Sequence, residues 1–142
     1  MSELQKTFSI IKPDAVASGK AGRILSLLED NGFRIRGLRM TKLSQSQAEG
    51  FYAVHRERPF YGSLVKFMIE GPVIVMALER EDAVKKLREV MGATNPADAA
   101  EGTVRKLYAE SIERNAIHGS DALETAAEEL KFFFTTVELS QL

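Results

Sequence analysis

The sequence predicts an α+β sandwich, and three observations carry that reading. Short β-branched or apolar runs alternate with amphipathic helical patterns. Proline or glycine punctuates most of the junctions between them. The order that results is strand, helix, strand, extra helices, strand, helix, long connection, short strand, helix. Its core, βαββαβ, is a ferredoxin-like arrangement: a four-stranded antiparallel sheet with helices on one face. The 142 residues suit a single domain over 1–142 with a sizeable core.

Thr7–Ile11 is β-branched and aromatic and closes at Lys12-Pro13. Pro13 lacks an N–H and pushes Lys12 out of helical geometry, so Lys12 stands at a strand end. Gly22–Asn31 reads as a helix, with Ile24, Leu27 and Leu28 on one face and Gly32 as its stop. Phe33-Arg-Ile-Arg36 alternates as a half-buried strand. After Gly37 the phase flips to Leu38 and Met40, which a β-bulge at Gly37 explains, and the strand runs to about Leu43. Ser44 and Gln47 form a capping box for a helix carrying Ala48, Phe51, Tyr52 and His55. Arg58–Tyr61 is a tight connection into a helix over Tyr61–Ile69, which Gly71-Pro72 breaks. Val73–Leu78 is apolar without alternation, as a well-buried central strand is. Glu81–Met91 is helical, with Val84, Leu87 and Met91 inward and Arg88 beside that stripe.

From Gly92 to Asn115 the pattern weakens, apart from a helical patch over Thr103–Tyr108. Connections this long inside a compact domain tend to be functional. This one leads into Asn115-Ala-Ile-His-Gly-Ser-Asp121, read as a short strand ending on His118, a glycine turn and a helix start. Asp121 and Glu124 fit a capping box for a helix over Ala122–Phe133, with Ala126, Leu130, Phe133 and Phe134 on its inner face. The tail after Thr135 has no clear pattern.

Composition excludes several function classes. A net charge of -1 argues against nucleic acid or an anionic membrane as the main partner. The absence of cysteine removes disulfides, thiol nucleophiles and zinc–thiolate sites. Met1–Lys6 has no signal-peptide pattern, and the longest apolar run is far too short to span a bilayer, so a cytoplasmic location is the expectation. His55, His118 and Asp121 lack metal-ligand spacing. Mg²⁺ carried on phosphate oxygens is compatible with the sequence, because that ion relies on few protein ligands.

His118 is the candidate centre. Neutral imidazole is available near neutral pH, and a residue held against a glycine turn can be fixed in direction yet open on one side. A structural histidine is the plainer alternative. Lys12, Arg88, Arg105, Thr94 and Asn115 lie at a strand end, a helix end and the long connection. Guanidinium forks and a lysine point charge around one histidine suit a polyphosphate, although each taken alone reads as an ordinary surface group. No GxxxxGK[ST] loop or kinase-type glycine loop is present. Phe60 offers an aromatic face for a base, and such stacking tolerates any base. A packing aromatic explains it equally well.

These segments together resemble the nucleoside diphosphate kinases over almost the whole chain. The match lies in Ile10-Ile-Lys-Pro-Asp-Ala15, Glu49-Gly-Phe-Tyr52, His55 through Arg58-Pro-Phe-Tyr61, Gly71-Pro72, Met91-Gly-Ala-Thr-Asn-Pro96, Gly102-Thr-Val-Arg105 and Asn115–Asp121. The resemblance implies ping-pong transfer of a γ-phosphate from a nucleoside triphosphate, mainly ATP, to a nucleoside diphosphate through a phosphohistidine at His118, on Nδ1. It implies that Glu129 holds the other ring nitrogen, supported by Ser120. Lys12 and Tyr52 are expected at the γ-phosphate and sugar 3′-hydroxyl, and Asn115 at that hydroxyl. Arg88, Thr94 and Arg105 are expected on the β- and γ-phosphates, and Phe60 and Ile112 on the two faces of the base. Mg²⁺ is the implied cofactor, bridging phosphates rather than held by protein ligands. The family assembles as homo-oligomers. The end at Leu142 makes a bacterial type the expectation and leaves tetramer and hexamer open. Two departures stand out: Leu107 where an aspartate is usual, and Phe133 for a common tryptophan. Retention of both His118 and Glu129 argues against a silent nucleotide-binding regulator. The paired phosphate and sugar set argues against a phosphohydrolase.

Overall fold

The computed structural model describes residues 3–141. The elements run β1 (Leu4–Ile11), α1 (Pro13–Ala17), α2 (Ala21–Asp30), β2 (Arg34–Thr41), α3 (Gln45–Phe51), α4 (Tyr61–Met68), β3 (Val73–Glu81), α5 (Ala83–Met91), α6 (Val104–Tyr108), β4 (Ile117–Gly119), α7 (Leu123–Phe133) and α8 (Thr136–Gln141). Single turns of 3₁₀ helix occupy Ala53–His55 and Pro96–Asp98. The sheet order is β2-β3-β1-β4, and every pairing is antiparallel. This is the ferredoxin-like sandwich that the βαββαβ order predicts.

The helices cover both faces of the sheet, which corrects the expectation of one covered face. Alternation along β1 and β3 divides the core. Phe8, Ile10, Val73, Val75 and Ala77 join Ala48, Val65, Met68, Leu130 and Phe133 from α3, α4 and α7. Ile11, Ile74, Met76 and Leu78 join Ile24, Leu28, Leu87, Met91 and Val104 from α2, α5 and α6. The unbroken apolar run of β3 requires this, since a central strand without alternation must be covered on both sides.

Other boundaries moved for local reasons. β3 extends to Glu81, which pairs with Leu4, and Asp82 makes the turn into α5 in a left-handed conformation (φ 53°). The bulge falls at Arg36, between Ile35 and Gly37. β2 is an edge strand, and beyond the bulge Leu38 and Met40 pair with the core residues Met76 and Ile74, so they share a core-bearing face of the sheet but remain 47% and 58% exposed at its edge. Pro13 starts α1 instead of merely ending β1, because its fixed φ suits a first helical position. The Ser44–Gln47 capping box is present in both directions, at 3.1 and 2.9 Å. The expected Asp121–Glu124 box is not. Thr125 Oγ1 donates to Asp121 Oδ1 (2.6 Å) and accepts from the Ala122 N–H (3.0 Å), and α7 begins at Leu123. The N-cap is therefore Ala122 rather than Asp121, and the third helical position, whose side chain accepts from the N-cap N–H, is Thr125 rather than Glu124.

Gly119 shows how closely β4 is packed. A Cβ there would lie 2.5 Å from Met91 Sδ and 2.8 Å from Leu87 Cδ2. Gly119→Ala is therefore expected to destabilise the fold by about 1–3 kcal/mol through overpacking. Urea unfolding measures this, and an unchanged midpoint would mean that α5 yields freely.

Candidate active site

β4 fixes the histidine before any side-chain contact is made. His118 pairs with Ile10 across the β1–β4 ladder, Ser9 Oγ donates to the His118 carbonyl at 2.7 Å, and the Ser120 N–H donates to the Phe8 carbonyl at 3.1 Å. The imidazole then packs against aromatic rings. Phe51 meets it edge-on with centroids 5.3 Å apart, and Tyr52 and Phe8 each lie at 6.2 Å. Its Nε2 is 2.9 Å from Glu129 Oε1, and the same oxygen accepts from Ser120 Oγ at 2.7 Å. Ser120 is fully buried.

These contacts decide the state of the ring. Burial lowers the His118 pKa below its ordinary value and outweighs Glu129, which raises it; Lys12 and Arg105 add to the lowering. The ring is therefore neutral near pH 7. An ionised carboxylate only accepts hydrogen bonds, so Nε2 carries the proton and Nδ1 keeps the lone pair.

A cleft of about 750 Å³ opens over this ring. Lys12, Tyr52, Phe60, Arg88, Thr94, Arg105, Ile112, Asn115, His118 and Glu129 all line it; of the expected site residues only Ser120 does not, standing behind Glu129. Lys12, 7% exposed, donates from Nζ to Asn115 Oδ1 at 2.8 Å. Burial and then the nearby Arg105 bring its pKa down to about 8, against the pull of Asp14 and Glu113. Arg105, 6% exposed, donates from Nη1 to the Gly92 carbonyl (3.0 Å) and from Nη2 to the Ile117 carbonyl (2.8 Å). One guanidinium thus ties the start of the long connection to β4. Burial, then Arg88, lowers its pKa to about 10. Arg88, in the last turn of α5, lies 3.5 Å from the Gly119 carbonyl, and the Thr94 carbonyl accepts from Asn115 Nδ2 at 3.4 Å. The Tyr52 hydroxyl is buried with no protein partner, and burial, then Glu129, raises its pKa well above the usual value.

Phe60 and Ile112 stand at the mouth, 45% and 59% exposed. The chain beside Ile112 is strapped to α4: Ser63 Oγ donates to Glu113 at 2.8 Å, and Arg114 pairs with Glu70 at 2.8 Å while lying over the Phe67 ring. Leu107 is half exposed and does not line the cleft. Phe133 stacks flat on Phe8 at 5.3 Å in the core.

Sequence reasoning missed four contributors. Phe8 and Phe51 wall the imidazole, Ser9 anchors β4, and Glu113 straps the mouth. The alternation of Thr7 and Ser9 with Phe8 and Ile10 in β1 was a usable signal for the first and third. The cleft's donor set, three cations with amide and hydroxyl groups, suits phosphate oxygens. Among the described residues no group of three or more His, Cys, Asp or Glu could hold a metal ion.

Comparison with known proteins agrees with this chemistry. The family model described as nucleoside diphosphate kinase matches residues 5–139. The chain is 58% identical to the nucleoside diphosphate kinase of Nitrosospira multiformis over 136 residues, 96% of each chain. It is 54% identical to that of Nitratidesulfovibrio vulgaris, covering 96% of this chain and 98% of the relative. Among solved structures, the Aquifex aeolicus nucleoside diphosphate kinase superposes with a TM-score of 0.94 at 41% identity, covering 96% of this chain and 99% of the other. The Encephalitozoon cuniculi enzyme gives 0.89 at 34% identity, covering 92% and 88%. A family match over residues 5–139, with relatives and solved structures of this identity and coverage, establishes that the chain belongs to the nucleoside diphosphate kinase family and is a phosphotransferase of that class.

Proposed function

We propose that His118 is the nucleophile of a two-step transfer. Its Nδ1 lone pair attacks the γ-phosphorus of a nucleoside triphosphate, principally ATP. A P–N bond forms, the bond to the β-bridging oxygen breaks, and the diphosphate leaves. A second nucleoside diphosphate then attacks the phosphohistidine through its terminal oxygen, forming the new triphosphate and returning the electron pair to Nδ1. The observation that carries this reading is the His118–Glu129–Ser120 chain, which occupies Nε2 and leaves Nδ1 as the ring nitrogen with a free lone pair.

The remaining roles follow from charge and position. Arg88, Arg105 and Thr94 hold the β- and γ-phosphates, and Arg105 meets charge as the phosphoryl group moves. Lys12, Tyr52 and Asn115 take the γ-phosphate and the sugar 3′-hydroxyl. Phe60 and Ile112 sandwich the base, which accounts for broad base tolerance. Mg²⁺ is carried in on the phosphates and, when bound, offsets their charge. The chain works in the cytoplasm as a homo-oligomer, tetramer or hexamer. The exposed Leu38 and Met40 on edge strand β2 support an assembly. Among the described residues no helix is long and apolar enough to cross a membrane.

The direct test incubates the protein with γ-labelled ATP and Mg²⁺ and no acceptor, then chases with GDP or CDP. Acid-labile, base-stable label that moves to the diphosphate is expected. Label released only as inorganic phosphate would point to a hydrolase. His118→Ala should lose turnover while still binding nucleotide, and normal turnover in that variant would end the proposal.

Two further outcomes test the electrostatics. Lys12 is cationic below about pH 8 and neutral above it. kcat/KM for the nucleotide should therefore fall as pH rises through that value, and a flat alkaline limb would remove Lys12 from phosphate binding. Glu129→Gln removes the group that raises the His118 pKa, so NMR titration of the ring should show a further drop. Transfer should slow by less than in His118→Ala, because the amide still hydrogen-bonds; an undiminished rate would exclude Glu129.

A further inference from the structure

Asp14 is a buried carboxylate beside the site that the transfer scheme leaves unused. It lies in the first turn of α1 and is 5% exposed. Its Oδ2 accepts a hydrogen bond from the backbone N–H of Ala116 at 3.1 Å. Ala116 has φ 74°, a left-handed conformation that a residue with a Cβ resists. Such a bend in a non-glycine residue persists where its surroundings hold it.

The bend sits between the groups that matter. Ala116 O accepts from the Lys12 N–H at 2.8 Å, and the Ile117 N–H closes back on the Asn115 carbonyl at 2.9 Å. Asn115, one residue before the bend, receives Lys12 Nζ at 2.8 Å. His118 follows two residues after it, already paired with Ile10. A change in the bend would rotate Asn115 away from Lys12 and disturb entry into β4.

We propose that Asp14 is a positioning residue for the transfer: its carboxylate clamps Ala116 in the left-handed bend that turns Asn115 onto Lys12 and feeds His118 into register. This rests on the assignment of Asn115 to the sugar 3′-hydroxyl made above. A charged acceptor gives the Ala116 N–H a stronger bond than a neutral one. Burial raises the Asp14 carboxyl above its usual range, and backbone N–H groups and Lys12 pull it back.

The test compares wild type, Asp14→Ala, Ala116→Gly, the double variant and Asn115→Ala, with ATP, Mg²⁺ and two acceptors. These are thymidine diphosphate and its 3′-deoxy analogue. Asp14→Ala should cut kcat/KM for thymidine diphosphate by up to about a hundredfold, as small misplacements in a reaction site do. The 3′-deoxy analogue should lose much less, so the preference for a 3′-hydroxyl narrows. Hydrogen exchange at the Ala116 amide should accelerate in the same variant. Adding Ala116→Gly should restore the preference, because glycine adopts the bend without a clamp. An unchanged preference in Asp14→Ala, or a double variant no better than the single, overturns the proposal and leaves Asp14 a merely structural group. If Asp14→Ala does not fold, a folded double variant with wild-type preference supports the clamp. A double variant that folds without the preference, or does not fold at all, overturns it. If Asn115→Ala leaves the preference intact, the sugar assignment fails instead. The clamp is then decided by Ala116 exchange and by whether Ala116→Gly rescues kcat/KM with ATP.

Discussion

One carboxylate oxygen, Glu129 Oε1, receives both His118 Nε2 and Ser120 Oγ. That double contact imposes conditions on much of the fold. His118 and Ser120 flank Gly119 in and just beyond β4, while Glu129 lies midway along α7. For the three to meet, β4 must lie on β1 in one register and α7 must pack across the same sheet face. Ser9 and the Phe8 carbonyl secure the first condition; the Phe8–Phe133 stack and the burial of Leu130 secure the second. Gly119 lets β4 approach α5 closely enough for Arg88 to reach its carbonyl. The ring that results is desolvated by aromatic neighbours and held by a single acceptor, a combination that keeps it neutral and pointed.

The cations of the cleft around that ring are set against burial and against one another. Lys12 and Arg105 are almost wholly buried, and each pKa is lowered by burial and by a neighbouring cation. A fall for Lys12 from 10.5 to about 8 corresponds to roughly 3 kcal/mol of disfavoured charge. On the proposed reading a polyphosphate supplies the counter-charge, so binding energy concentrates at the phosphate end. Backbone carbonyls already hold two arms of Arg105, so on the same reading little reorganisation is left for the moment of transfer.

The sequence made some of this readable and hid the rest for identifiable reasons. Lys12 at a strand end, the Ser44 cap, the central run of β3 and the long connection into His118 all follow from local rules of backbone geometry and capping. What was hidden depends on tertiary context. The apolar positions Leu38 and Met40 have the right alternation for a core and share a face with Met76 and Ile74, yet β2 is an edge strand and they stay exposed there. Asp121-Ala-Leu-Glu124 has the right spacing for a capping box, but the neighbouring Thr125 hydroxyl satisfies both partners. The second helical layer was visible as extra helices, and only the two-sided burial of β1 and β3 assigns them a place. Roles for individual residues came from the resemblance rather than from spacing. The cleft gathers these residues without any one motif having required it.

The two ends of the cleft differ in kind, and on the proposed reading that difference sets what is recognised. At the phosphate end Lys12 and Arg105 are buried, charged and held by hydrogen bonds, so a misplaced or missing phosphate leaves two buried cations without counter-charge at high cost. The mouth offers two exposed apolar faces, Phe60 and Ile112, whose contact with a base is nondirectional. Glu113 and Arg114 anchor the Ile112 side to α4 through Ser63, Glu70 and Phe67, so the slot keeps its width without a hydrogen-bonding edge that would select one base. Discrimination by a stacked surface is worth little between one base and another, while discrimination by unpaired buried charge is worth a great deal. A site built this way is strict about the phosphate chain and permissive about the base, which is what exchange among different nucleotides demands.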